Sequence, residues 1–157
     1  MEIKEHQTLE MENVLSFRAQ MTQQELAAKS QEIERILTES GAKKAAPVVT
    51  TTYAVEQEPM GLVMDVELLL PLDRKISVPE GYVWKPYFLL TNAVKLHHMG
   101  HPSQLQNSIN ELNAYIQEHR LVPITSGYNV TVKEAKTLLE LDTMEVDVYV
   151  GISPNVL

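Results

Sequence analysis

"LVMDVELLLPL", residues 62–72, divides its side chains into two sets. In an extended chain Met64, Val66, Leu68 and Leu70 share one face, while Asp65, Glu67 and Leu69 share the other. The division returns in "TMEVDVYVGI" (143–152), where Met144, Val146, Val148, Val150 and Ile152 oppose Glu145, Asp147 and Tyr149. Glu67 aligns with Asp147. A strand with one apolar and one acidic face, used twice, points to an internal duplication.

The segments around each copy agree. "NVLSFRAQM" (13–21) alternates as a half-buried strand, and Thr22 with Glu25 forms a capping-box signature at the start of a helix. Leu26, Lys29, Ile33, Ile36 and Leu37 give that helix its stripe, and Gly41 fits its C-cap. "APVVTTTYAVE" (46–56) reads as the next strand, before 62–72. The second copy runs from the extended, aromatic-rich "YVWKPYFLLTNAVKLHH" into a helical stripe at Leu105, Ile109, Leu112 and Ile116. "LVPITSGYNVTV" (121–132) and 143–152 supply its last two strands; residues 133–142 fit a short helix or an elaborated loop. The texture also pairs "APVVTTTY" with "LVPITSGY", setting Tyr53 against Tyr128. Residues 1–11 show no period and read as a loose terminal segment ahead of a single domain, 12–157, with pseudo-repeats at about 12–72 and 84–152.

The expected fold is α+β: a strand-helix-strand-strand unit, duplicated, forming one antiparallel sheet. Two main helices cover one face, and a groove lies on the other.

His97, His98 and His101 stand close together at the entry to the second helix. Gly100 and Pro102 oppose a continuous helix there, and in a strand His97 and His98 point to opposite faces. No metal site is expected, and the three histidines read as residues of a strand-to-helix junction.

The formal charge of −8 and the scattered lysines and arginines argue against a nucleic-acid partner, since phosphate binding needs clustered cations. An anionic membrane surface is disfavoured for the same reason. No cysteine is present, so disulfides, thiol nucleophiles and cysteine-based zinc sites are excluded. A polar, acidic start and the absence of any long apolar run suggest a cytoplasmic protein.

The duplicated unit and its acidic strands resemble the bacterial effector-binding domain family related to the gyrase-inhibitory protein and to the SOUL haem-binding proteins. The likeness rests on "HHMGHPSQLQNSINELNAYI" and "DVYVGI" and spans roughly 12–152. Asp147 stands where that family usually has Glu, and Gly151 where it often has Pro; Glu67-Leu-Leu-Leu-Pro keeps the fuller motif. The resemblance implies a free-standing member with no DNA-binding domain. It implies an aromatic groove whose acidic residue attracts a small hydrophobic, cationic ligand.

By that resemblance Asp147 is the ligand-binding acid and Tyr149 its neighbour, Glu67 is the pseudo-symmetric acid, and Tyr53, Tyr128 and Trp84 are candidate walls. No cofactor and no catalytic residue is assigned. The same acids also fit a solvated strand face, and the aromatics fit ordinary core or rim positions. The residues favour binding over catalysis, with a regulatory protein-interaction role alongside. The alternatives are a small hydrolase using Asp or Glu with Tyr, or a pure protein-interaction module; the oligomeric state, a dimer included, stays open.

Overall fold

The computed structural model describes residues 2–155. The fold is α+β and mostly antiparallel. The chain forms two compact units, Met11–Phe88 in one, and the residues up to Glu10 with those from Leu89 onward in the other.

In the Met11–Phe88 unit, β1 (Glu2–Met21) contributes its second half, followed by α1 (Gln23–Ser40), β2 (Val49–Glu58) and β3 (Gly61–Pro71). β3 is central, antiparallel to both β1 and β2. The capping box forms as the sequence requires: Glu25 N donates to Thr22 Oγ1 at 3.2 Å, and Thr22 N donates to Glu25 Oε1 at 3.1 Å. Gly41 closes the helix in the left-handed region, at φ 72°. The core joins Leu15 and Met21 of β1, Ile33 and Leu37 of α1, and Val66, Leu68 and Leu70 of β3. The face of 62–72 expected to be apolar is thus the one under the helix.

In the other unit, β4 (Val83–Met99) contributes its second half, followed by α2 (Leu105–Glu118), β5 (Pro123–Lys133) and β6 (Glu145–Ile152). β6 is central, between β4 and β5. Val94 and Leu96 of β4, Leu112 and Ile116 of α2, and Val146, Val148, Val150 and Ile152 of β6 form its core. Gly100, at φ 136°, reverses the chain, and Pro102 opens a 3-10 turn, Pro102–Gln104, that leads into α2. The undecided stretch 133–142 contains a 3-10 turn beginning at Leu138.

One expectation is corrected. Residues 2–11 are not loose but form the first half of β1. Their exposure alternates from Ile3 through Glu5, Gln7, Leu9 and Met11. Two of those inward positions are polar, which hides the period in the sequence. Glu5 is held there by the Tyr115 hydroxyl of α2, which donates to it at 2.7 Å. No helix among the described residues is long and apolar enough to cross a membrane.

Candidate functional site

In both units the strand face away from the helix carries the acids. Glu67 lies on β3 and is 5% exposed. Its Oε2 accepts hydrogen bonds from Ser16 Oγ at 2.5 Å and Lys85 Nζ at 2.6 Å, and its Oε1 accepts one from the Tyr53 hydroxyl at 2.5 Å. Burial pushes this carboxyl up, but the hydrogen bonds from Lys85, Ser16 and Tyr53 and the lysine charge outweigh it. The result lies below the ordinary carboxylate value. Beside it Arg18 forms a bidentate pair with Asp65, at 3.0 and 2.9 Å, and its guanidinium lies 3.8 Å from the centre of the Tyr53 ring.

Asp147 lies on β6 and is 8% exposed. Its strand partner is His97 of β4, whose Nδ1 lies 2.5 Å from Asp147 Oδ1 while Nε2 lies 3.2 Å from Glu145 Oε1. Lys95 Nζ stands 3.5 Å from Asp147 Oδ2 and 5.7 Å from the centre of the Tyr149 ring. Tyr149 and Tyr128 are directly opposed between β6 and β5, so both belong to the Asp147 face. A cavity of about 210 Å³ opens on the same face, lined by Glu2, Lys4, Lys95 and His97.

The register defines the duplication more closely than the texture does. Glu67 is opposed by Arg18 and Thr51; Asp147 is opposed by His97 and Val130. Arg18 and His97 are therefore equivalents, as are Ser16, opposite Leu69, and Lys95, opposite Tyr149. Tyr128 pairs with Tyr149 as Val49 pairs with Leu69, so the counterpart of Tyr128 is Val49, not Tyr53.

Of the residues singled out by sequence, Asp147, Tyr149 and Tyr128 share one face of one unit. Glu67 and Tyr53 are bonded to each other in the other unit. Trp84 packs against the helix-side core of that unit, while its neighbour Lys85 takes the Glu67 side. Sequence reasoning missed Ser16, Arg18, Lys85, Lys95 and His97. Only His97 left a signal, since its strand parity separates it from His98. The other two histidines have structural tasks. His98 is 4% exposed, with Nδ1 2.7 Å from Ser108 Oγ, and His101 Nδ1 accepts the Ser103 amide at 3.1 Å.

No family model matches the sequence, and no curated protein does. Solved structures do match. The C-terminal domain of EcmrR superposes with a TM-score of 0.74 at 14% identity, over 98% of this chain and 99% of that one. The chain has the fold of that domain. It spans 57% of the EcmrR chain solved in a complex with DNA. SAV2435 bound to tetraphenylphosphonium matches with a TM-score of 0.55 at 12% identity, over 98% of this chain and 93% of that one. A hydrolase from Listeria innocua matches at 0.57 and 10% identity, over 94% and 92%. The likeness to a chain seen with DNA gives no support to the expectation that nucleic acid is excluded as a partner.

Proposed function

We propose that the chain is an effector-binding domain of the gyrase-inhibitory type that binds a small hydrophobic cation on the face of Asp147, Tyr149 and Tyr128. The observation that carries this reading is a carboxylate only 8% exposed, with two tyrosines on its own strand face. A carboxylate withdrawn from water is costly unless paired, and a cation that can also shed its own hydration recovers much of that cost. Phenol rings add cation–π attraction. The likeness to a protein solved with tetraphenylphosphonium supports the same class of ligand. Glu67 is the corresponding acid of the other unit, with the Tyr53 hydroxyl bonded to it. There Lys85 already rests on the carboxylate, and Trp84 supports the strand from the helix side. The likeness to the C-terminal domain of EcmrR, a protein also solved in a complex with DNA, supports a regulatory role for the bound state.

Calorimetric titration with tetraphenylphosphonium tests the reading. Saturable binding is expected, weakened about tenfold or more in Asp147→Asn, a loss of about 1.4 kcal/mol or more. Unchanged affinity in a folded Asp147→Asn protein removes Asp147 from the site.

The second reading, a small hydrolase, has the Listeria innocua likeness in its favour. It requires turnover of a bound compound that substitution of Asp147 or Glu67 abolishes.

A further inference from the structure

His97 lies between two carboxylates. Both of its ring nitrogens face carboxylates, Nδ1 toward Asp147 at 2.5 Å and Nε2 toward Glu145 at 3.2 Å. A neutral imidazole carries one N–H and can satisfy only one of them; the imidazolium donates to both. The duplicated position in the other unit holds Arg18, which spans the Asp65 carboxylate with two nitrogens. One repeat thus has a permanently charged side chain at this position, and the other has a histidine.

We propose that His97 is the built-in cation of the Asp147 site, which a cationic ligand must displace, so that ligand binding and protonation of His97 exclude one another. The inference rests on the binding reading above. It adds the residue that sets when the site is available.

Among the described residues, four strands bring titratable or charged groups toward His97. β6 presents Asp147, Glu145 and Tyr149, and the histidine's own strand presents Lys95. β1 presents Glu2 and Lys4, paired at 3.3 Å, on the shared cavity. β5 presents Lys133 opposite Glu145, and Tyr128 opposite Tyr149. When the imidazolium loses its proton, one of its two bonds to carboxylate loses its donor and Asp147 loses a countercharge. Of the remaining cations, Lys95 is the nearest to Asp147, at 3.5 Å, longer than a hydrogen bond to a charged acceptor usually is. An incoming lipophilic cation then supplies the missing charge. By linkage, the ligand must in turn promote release of that proton.

The test is tetraphenylphosphonium affinity measured across pH, from about 5 to 8, the range in which histidine ordinarily titrates. Wild-type affinity is expected to rise with pH, with a limiting slope of about tenfold per pH unit because one proton competes with one ligand. Calorimetry in buffers of different ionisation enthalpy is expected to register proton release on binding. His97→Gln is expected to bind more tightly than wild type at the acid end and to lose the slope. His97→Arg is expected to bind weakly at every pH. A slope that persists unchanged in His97→Gln overturns the inference while leaving the Asp147 reading intact, provided Asp147→Asn still weakens binding. If neither wild type nor the His97 variants bind the cation at any pH, both fall.

Discussion

Tyr53 and Val132 occupy the same bulge in the two repeats. Tyr53 is the extra residue between Thr52, opposite Val66, and Ala54, opposite Asp65. Val132 is the extra residue between Thr131, opposite Val146, and Lys133, opposite Glu145. A bulge re-aims a side chain without ending the strand. In the first repeat it delivers a phenol to Glu67; in the second an aliphatic side chain stands there, and Asp147 takes His97 instead.

Tyr53→Phe removes one of the three side-chain donors on Glu67 and keeps the ring under Arg18. A loss of about 1 kcal/mol is expected in chemical denaturation, the usual net worth of one such bond. A loss indistinguishable from zero contradicts the hydrogen bond.

Lys85→Ala leaves a buried carboxylate without its countercharge. Breaking a fully buried pair costs about 3–5 kcal/mol, and partial solvation of the partner reduces this to about 1–2 kcal/mol here. The Lys85 side chain is 35% exposed against 6% for that of Glu67. Lys85→Met is expected to cost less than the alanine variant, because it keeps the aliphatic stem that packs beside the strand.

Acid stability follows from the same carboxylate. Burial raises Glu67, the donors from Lys85, Ser16 and Tyr53 together outweigh that rise, and its folded value ends below the ordinary 4.5. A depressed acid stabilises the folded state at pH above its unfolded value, and that contribution disappears as pH falls through the folded value. Stability is therefore expected to decline below about pH 4.5 in wild type. In Glu67→Gln, already weaker at neutral pH, that part of the decline should be missing from denaturation curves recorded in acid.

Gly151 is held to glycine by its neighbours. A Cβ there would meet Leu90 Cδ1 and Thr125 Cγ2 at 2.8 Å each. Its amide also donates to Thr125 Oγ1 at 2.8 Å, a bond that proline could not make. Gly151→Ala is expected to cost about 1–3 kcal/mol, the usual range for overpacking. Gly151→Pro should cost more, because it loses the hydrogen bond as well. Thermal unfolding of both variants ranks them.

Local rules were written in the chain. The capping box at Thr22 and Glu25, the left-handed cap at Gly41 and the alternation through 62–72 and 143–152 need only neighbours a few residues away. Each recurs in the structure. The loose terminus did not, because the inward side of β1 includes Glu5, made tolerable by Tyr115, 110 positions distant. The pairing of Tyr53 with Tyr128 misled for a related reason. Similar texture cannot show which strand residue a bulge skips, and the bulges place Tyr53 with Val132.

The sequence by itself determined both main helices, the duplicated order and the two acidic strand faces, because backbone preference and side-chain periodicity act over short stretches. It did not determine what each acid touches. Glu67 meets Ser16, 51 positions away, and Asp147 meets His97, 50 positions away, and both contacts depend on strand register. Register is set by the burial of whole faces against a helix. Only the tertiary structure therefore decided that His97, on the face opposite His98, meets Asp147.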